Sequence, residues 1–287
     1  IQNASMTNNG TANLVDFTLN LNNGAAFVNN GMFNIQYNAN AFVASTIGSG
    51  SFNNTATGTI YKSNASATAR FNATVSVTNS GLIKGFGELV TVLTPTNNGS
   101  ISPGNNSAAL LTVNPSMVSY KTPSINLEIN STGAVAGTNY DQLRFSVIDS
   151  INTRITGATL NLIDNASDAA GTIYTLLSSP SGTITGPFAS VNIPSHFGNL
   201  TYNTNTVTVQ KLAPAKVWDG GAGTANWADA ANWNPDGVPI STDNVSIATT
   251  TAVNINTAAV CNELVLNNPL LVASIQRGSS LIVNGRL

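Results

Sequence analysis

Two neighbouring stretches decide the fold: GSFNNTATGTIYKS at residues 50–63 and ATARFNATVSVTNSGLIKGFGEL at residues 67–89. In each, a short run carrying Phe and Asn leads through a turn into a strand that begins Gly-Thr-Ile or Gly-Leu-Ile. The period is a little over 20 residues, a length typical of proteins that stack short repeats on each other. The repeat predicts a β-solenoid, in which each coil pairs with the coil below at a spacing of about 4.8 Å.

Alternating runs of Val, Ile, Leu, Phe and Thr fill the rest of the chain, and helical periodicity is nearly absent. Examples of these runs are residues 13–21, 26–35 and 125–129. The tripeptide Asn-Asn-Gly stands beside such runs at residues 8–10, 22–24, 29–31 and 97–99. We expect these tripeptides to form corners that need left-handed backbone conformations, and we expect stacked asparagine amides to hydrogen-bond in ladders. The chain is therefore predicted to be all-β.

The composition indicates a folded protein with a neutral surface. Apolar residues make up 42% of the 287 residues, which is enough for a sizeable core. Charged residues make up 8%, against roughly a quarter in an average soluble domain. The net charge is -2 and the ten Lys and Arg residues are scattered, so no basic stripe is available for nucleic acid. No apolar run approaches the roughly 20 residues of a membrane helix, so we expect no membrane insertion.

The sequence offers few groups for catalysis. Cys261 is the single cysteine, so no intrachain disulfide or cysteine metal cluster can form, and we expect it to be a small core residue. His196 is the single histidine, and we interpret it as a loop residue. We therefore predict no catalytic residue and no organic cofactor. The alternative is a carbohydrate-active β-helix enzyme of the lyase or hydrolase type, which would need carboxylates to converge on one face of the solenoid.

From residue 80 to about residue 212 the chain resembles the closing coils of right-handed parallel β-helices in secreted bacterial adhesins and autotransporter-like passengers. The matching positions of the first part are Gly99, Ile101, Ser102, Pro103, Gly104, Asn105 and Leu110, whereas Ala109 replaces the usual glycine. A more specific match is AGTNYDQL at residues 136–143, followed by GATL at residues 157–160. The resemblance implies a right-handed parallel β-helix with a β-rich closing module, in which Tyr140 and Asp141 are structural corner residues.

All three tryptophans, Trp218, Trp227 and Trp233, lie in VWDGGAGTANWADAANWNPDGVPISTDNVSIA at residues 217–248. This stretch resembles the Trp- and Asn-rich entry segment that begins another β-helix in multi-domain surface proteins of Bacteroidetes-like bacteria. The indole rings would plug the core of that next solenoid or, alternatively, stack on a glycan. Four carboxylates of the same stretch could bind Ca²⁺ or could instead act in turns and caps. They belong to Asp219, Asp229, Asp236 and Asp243.

These observations divide the chain into four segments. We expect solenoid coils at residues 1–125, a closing β module at 126–212, a Trp/Asn-rich joint or cap at 213–248, and the first coils of a second solenoid at 249–287. The last ten residues, GSSLIVNGRL, followed by the first ten, IQNASMTNNG, continue the coil pattern. We therefore expect the chain to be one period, or one window, of a longer tandem array.

The sequence as a whole predicts a non-catalytic structural or adhesive segment of a long extracellular bacterial surface fibre. The expected partners are neighbouring repeats of the same kind, with surface glycans as further candidates. Asp149-Ser150-Ile151 fits the Asp-Ser/Thr-aliphatic acceptor of Bacteroidetes-type O-glycosylation, which makes Ser150 a candidate for modification. A carbohydrate-active β-helix enzyme and a non-catalytic glycan-binding module are the alternative functions.

Overall fold

The chain folds into two compact units, residues 1–210 and residues 211–287. The structure is a computed structural model that describes residues 1–16, 18–64, 68–91, 96–104, 106–119, 121–146, 152–166, 171–194, 196–212, 216–241, 243–267 and 273–284. None of the described residues forms a helix long and apolar enough to cross a membrane. The predicted boundaries at 125/126, 212/213 and 248/249 stay predictions.

Three sheets make up most of the first unit, and each sheet takes about one strand from every coil. The first sheet contains β1 (Ser5–Asn8), β4 (Ala26–Asn29), β7 (Gly50–Asn54), β10 (Val75–Asn79) and β13 (Thr96–Asn97). The second contains β2 (Thr11–Leu14), β5 (Met32–Ile35), β8 (Thr59–Lys62), β11 (Leu82–Gly85), β14 (Ser100–Pro103), β16 (Ser124–Ile129), β19 (Thr159–Asp164) and β22 (Ser190–Asn192). The third contains β3 (Thr18–Asn20), β6 (Ala41–Ala44), β9 (Thr68–Phe71), β12 (Gly87–Thr91), β15 (Leu110–Val113), β17 (Gln142–Phe145), β20 (Ile173–Ser178), β23 (Thr201–Tyr202) and β24 (Thr206–Gln210).

Successive coils pair through parallel strands. In the first sheet Phe27 aligns with Met6 on one side and with Phe52 on the other. In the second sheet Ile83 aligns with Ile60 and Ile101. Parallel ladders of this kind, repeated on three faces, confirm the predicted β-solenoid.

Inward side chains of the second sheet form an apolar column along the stack. Phe33, Ile60, Ile83 and Ile101 occupy consecutive coils in register, and each is almost fully buried. Burying one side chain of this size contributes about 1.5–3 kcal/mol, and the same position in every coil repeats that contribution. The core is therefore continuous from coil to coil, as the alternating runs predict.

Two predicted runs each contain a corner that sequence alternation did not reveal. Residues 13–21 divide between β2 and β3, and residues 26–35 divide between β4 and β5. Only Asn30 and Gly31 separate β4 from β5, because a solenoid corner needs very few residues. Each of these two runs therefore forms two strands.

The Asn-Asn-Gly tripeptides form corners, but the predicted reason for their glycines was wrong at three of the four positions. Positive φ angles occur in the tripeptide at residues 22–24, at Asn23 (51°) and Gly24 (80°). At Gly31 and Gly99, glycine is instead required because the coils approach closely, whereas no atom lies within 4 Å of a Cβ built on Gly10. A Cβ atom on Gly31 would lie 2.1 Å from the carbonyl oxygen of Gly10, one coil below. No side chain fits between backbones at that distance.

The first unit ends in antiparallel strands. β24 pairs antiparallel with both β20 and β23, whereas the strands from β3 to β20 in the same sheet are parallel. A short parallel pair, β18 (Thr153–Arg154) with β21 (Ile184–Thr185), accompanies this change, and the 3-10 turn η1 (Pro115–Met117) precedes it in the chain. This arrangement is the predicted β-rich closing module.

The second unit begins with β25 (Lys216–Trp218), the 3-10 turn η2 (Ala230–Asn232) and β26 (Trp233–Asn234). Its remaining strands are β27 (Asn244–Ile247), β28 (Val253–Ile255), β29 (Ala258–Cys261), β30 (Glu263–Leu266), β31 (Ala273–Ile275) and β32 (Ser280–Val283). β27, β28 and β29 pair in parallel with β30, β31 and β32, respectively. Three strands followed by their three partners are two stacked coils, so a tryptophan-rich segment does lead into a second solenoid.

Candidate functional site

The first feature that distinguishes this solenoid is a ladder of buried asparagines at the corner between its first and second sheets. Each side chain donates from Nδ2 to the Oδ1 of the asparagine in the next coil, at 2.7, 2.7, 2.6 and 2.8 Å. The five members, called the inner ladder below, are Asn8, Asn29, Asn54, Asn79 and Asn97. Four of them are completely buried and Asn8 nearly so.

Each amide of the inner ladder also donates to backbone carbonyl oxygens of its own corner, of the next coil or of both. Nδ2 of Asn29, for example, donates to the carbonyl oxygens of Gly31 and Thr59 at 3.0 Å. At the last coil Nδ2 of Asn97 donates to the carbonyl oxygen of Met117 in η1 at 2.7 Å. Buried amides left unpaired cost about 1–3 kcal/mol each, so a complete ladder fixes the lateral register of the coils.

Tyr140 and Asp141 lie where a long connection returns to the third sheet. The two carboxylate oxygens of Asp141 accept hydrogen bonds from the backbone N–H groups of Ala109 (2.9 Å) and Glu128 (3.0 Å). The hydroxyl oxygen of Tyr140 accepts one from the N–H of Thr175 at 3.2 Å. The pair therefore ties together backbone segments that are far apart in sequence, which is how a structural corner works.

Asp141 is also electrostatically unusual. Its side chain is fully buried, and burial raises the pKa of its carboxyl from 3.8 to about 7. The N–H donors of Ala109 and Glu128 act in the opposite direction and the charge of Glu128 raises the pKa further. The protonation state of this corner consequently changes near neutral pH.

Lys62 is a buried cation that the sequence analysis missed. It occupies an inward position of β8, aligned with Ile35 in one neighbouring coil and Gly85 in the other. Its ammonium group donates to the backbone carbonyl oxygen of Asn64, and burial lowers the pKa of Lys62 from 10.5 to about 8. The alternation in Thr-Ile-Tyr-Lys already places Lys62 on the same side as Ile60, so the signal was available.

The three tryptophans form the core of the second unit. The ring of Trp233 packs edge-on against Trp218 at 5.0 Å and against Trp227 at 4.7 Å between centroids. Trp227 and Trp233 are completely buried and Trp218 is 7% exposed. Nε1 of Trp233 donates to the carbonyl oxygen of Trp227 at 2.9 Å. This is the arrangement expected of a core plug, and it leaves the ring faces turned to protein atoms rather than to a glycan.

The four aspartates of the tryptophan-rich segment lie in turns. Asp219 accepts from the N–H of Gly221, and Asp243 accepts from the N–H of Ile240. Asp229 accepts from the Thr224 hydroxyl, and the carbonyl oxygen of Asp236 accepts from Lys216. Within the described ranges, no three His, Cys, Asp or Glu side chains come together as a group that could hold a metal ion. The carboxylates of Asp219, Asp229 and Asp243 thus accept local hydrogen bonds, and a Ca²⁺ site at this segment stays a prediction.

Other candidate groups lie apart from one another. Nε2 of His196 contacts Oδ2 of Asp164 at 2.6 Å near the closing module. Cys261 is buried in the core of the second unit, as predicted, and burial, with a smaller effect of the Asp243 charge, raises the pKa of its thiol to about 11. Ser150, the candidate for O-glycosylation, lies outside the described residues.

Two shallow grooves open on the third sheet. One, of about 400 Å³, is lined by Thr18, Asn20, Phe42, Ala44, Thr46 and Asn72, and the other, of about 520 Å³, lies beside Phe86, Ala109 and Gly137. Neither is lined by an acidic or basic side chain, so neither brings together the paired carboxylates that glycoside hydrolysis requires. No known family profile and no curated protein matches this chain.

Proposed function

We propose that the chain is a structural and adhesive segment of a long extracellular bacterial surface fibre, held to neighbouring repeats of the same kind. The inner ladder is the observation that carries this proposal. It runs through five coils without a missing hydrogen bond, entirely inside the protein. An interior of this kind resists the sliding of one coil past the next, which is a property that a fibre needs and a small-molecule site does not.

A slip of one coil past the next would break the inner ladder. Moving one coil laterally by a residue would separate Asn29 from Asn54 and would also place the outward residues of each strand inside. The amides would then be buried without partners, at about 1–3 kcal/mol for each. Tension along the stack must overcome the inner ladder and the three sheets together, so the coils are released one at a time.

The surface supports close contact with other surfaces. With 8% charged residues and a net charge of -2, the chain carries little long-range repulsion. Hydroxyl and amide groups take the place of charges, and they can hydrogen-bond to a neighbouring fibre or to a neutral surface. Screening by salt should therefore change adhesion little.

Pulling single molecules of the whole chain by its two ends tests the structural part of the proposal. Neighbouring rungs of the inner ladder are 18 to 25 residues apart, so each released coil adds about 60–85 Å of extended chain. We expect repeated rupture events with these increments, and lower forces in Asn54→Ala. A first unit that extends smoothly without rupture events contradicts the proposal.

Incubation with a panel of soluble polysaccharides tests the enzyme alternative. The segment is expected to release neither new reducing ends nor unsaturated sugars. Reproducible cleavage that is lost in Asp164→Ala or His196→Ala, with the fold retained, would replace the structural proposal with the catalytic one.

A further inference from the structure

The outward face of the second sheet carries two rows of hydrogen-bonding side chains in its last coils. Ser124, Thr159 and Ser190 align in register across β16, β19 and β22. Two residues further along the same strands, Asn126, Asn161 and Asn192 align in the same way. The motif Ser/Thr-x-Asn thus repeats three times at the spacing of neighbouring strands, about 4.8 Å, with about 6.7 Å between the rows.

The asparagine row is locked into one orientation. Nδ2 of Asn161 donates to Oδ1 of Asn126 at 2.8 Å, and Nδ2 of Asn192 donates to Oδ1 of Asn161 at 2.7 Å. Each amide points back to the preceding coil, whereas every amide of the inner ladder points to the following one. Unlike the inner ladder, this row is partly exposed, so its remaining N–H and carbonyl lone pairs face outward.

The hydroxyl row has unused hydrogen-bonding capacity. Across the residues that the structure describes, the side-chain hydroxyls of Ser124, Thr159 and Ser190 make no hydrogen bond to protein. All three side chains are at least partly exposed. Hydroxyls next to oriented amides form a surface that can both donate and accept at regular intervals, without any rearrangement before binding.

The charge of this face selects the kind of ligand. The six residues of the two rows are uncharged, and Ser100 of β14, aligned with Ser124, extends the hydroxyl row by one more coil without adding a charge. The neighbouring acid on β16, Glu128, is bound by the side chain of Asn130 at 2.8 Å. β16, β19 and β22 carry no Lys or Arg, so a neutral partner fits these three strands, whereas nucleic acid and acidic polymers would gain no cationic contact from them. Lys84 lies two strands beyond β16 in the same sheet, on β11, where it aligns with Ser102.

We propose that this face binds an extended, uncharged polysaccharide chain that lies along the two rows, so that successive sugar units meet successive coils. The proposal rests on the adhesive function above and names what the segment adheres to. A periodic surface rewards a periodic ligand, because each added sugar unit repeats the contacts of the previous one. Sugar hydroxyls donate and accept as Ser, Thr and Asn side chains do, so the two hydrogen-bonding patterns are complementary.

Co-sedimentation of the whole chain with insoluble cellulose, chitin and β-1,3-glucan tests this inference. The central row position is changed in Thr159→Tyr, which places a ring across the rows, and in Thr159→Ser, which keeps the hydroxyl. The matched control is Thr112→Tyr, at a half-exposed position of the third sheet between Glu88 and Arg144. Circular dichroism verifies that each variant is folded.

We expect at least one of the three polysaccharides to retain the chain, with binding about tenfold weaker in Thr159→Tyr and within about twofold of the original in the other two variants. The proposal is overturned if the chain binds none of the three polysaccharides, or if Thr112→Tyr loses as much binding as Thr159→Tyr. Two other activities of this face would also overturn the proposal if Thr159→Tyr abolished them while the chain bound no polysaccharide. They are inhibition of ice growth and pairing of two copies of the chain. Surface labelling of cells bears on the proposed function and not on these outcomes, so the two proposals can fail separately.

Discussion

Nδ2 of Asn54 donates a 2.6 Å hydrogen bond to Oδ1 of Asn79, and neither side chain is exposed to solvent. Asn54 accepts the equivalent bond from Asn29 at 2.7 Å, so it links three coils through one amide. Asn161 occupies the same kind of position in the outward row, where it accepts from Asn192 and donates to Asn126. The two residues differ in burial and in the hydrogen bonds that Asn54 adds to the carbonyl oxygens of Gly58 (3.2 Å) and Leu82 (3.3 Å).

Asn54→Ala should destabilise the first unit by about 2–4 kcal/mol, because Oδ1 of Asn79 loses its partner and a cavity replaces the amide. Asn161→Ala breaks as many rungs but should cost about 1 kcal/mol or less, because water can replace them. Native-state hydrogen exchange of the whole chain, followed by mass spectrometry, measures both. Equal costs for the two substitutions would show that burial of the ladder contributes nothing.

The sequence was sufficient to predict the solenoid because the same strand and turn pattern repeats in successive coils. A misinterpretation of one coil would not repeat in all of them. It was insufficient for the glycines: Gly31 looks like a left-handed corner in isolation, and its true constraint is the Gly10 carbonyl one coil below. A contact between residues 21 positions apart is invisible to local turn chemistry. The sequence predicted that asparagine amides stack in ladders. It did not predict that the inner ladder is buried, because burial depends on which way each corner turns.

Lys62→Met should stabilise the first unit by about 1–3 kcal/mol at pH 7, because it removes a buried ammonium group whose described contact is one backbone carbonyl. Folding lowers the pKa of Lys62 from 10.5 to about 8, so the unfolded state holds the proton more tightly. The cost is therefore full below pH 8 and disappears as the pH rises to about 10.5. Urea unfolding of both proteins at pH 7 and pH 10 measures it.

Lys84→Met is the control for this substitution. Lys84 aligns with Tyr61 on the outward side of the same sheet, with Nζ 5.2 Å from the centre of the tyrosine ring. Its replacement should change the free energy of unfolding by about 0.5 kcal/mol or less. If Lys62→Met is less stable than the original chain, the buried ammonium group stabilises the first unit, which contradicts this prediction.

Asp141 gives the first unit a pH dependence of the opposite sign. Folding raises the pKa of its carboxyl from 3.8 to about 7, so the folded state holds the proton more tightly. The resulting stability is full below about pH 4 and is lost as the pH rises through 7, by up to about 4 kcal/mol. The original chain should therefore lose more stability than Asp141→Asn between pH 5 and pH 8. An equal loss of unfolding free energy in the two proteins between pH 5 and pH 8 would contradict the raised pKa of Asp141.

Trp227 and Trp233 should respond differently to the same substitution. Trp233→Phe loses the hydrogen bond from Nε1 to the Trp227 carbonyl, whereas Nε1 of Trp227 is buried without a partner. Trp227→Phe therefore removes an unsatisfied donor and should cost about 1 kcal/mol less than Trp233→Phe. All three tryptophans lie in the second unit, so tryptophan fluorescence during urea unfolding reports this unit alone. The reverse order of stability would show that the indole N–H of Trp227 is satisfied.

The candidate residues show what sequence can and cannot locate. The tryptophans and Asp141 were found because they stand out by type or motif, and the structure places them inside the protein. The Ser/Thr-x-Asn face went unnoticed, since Ser124, Thr159 and Ser190 are ordinary residues separated by 35 and 31 positions. They become a surface only when β16, β19 and β22 are aligned, which depends on the length of the intervening loops.

Immunogold electron microscopy of intact cells that produce the chain, combined with an attachment assay, tests the central claim most directly. The comparison is between cells that carry the full gene and cells with an in-frame deletion of residues 1–210. The account predicts gold label outside the cell envelope and reduced attachment after the deletion. Label confined to the cell interior, or attachment that does not change when the first unit is removed, would contradict it.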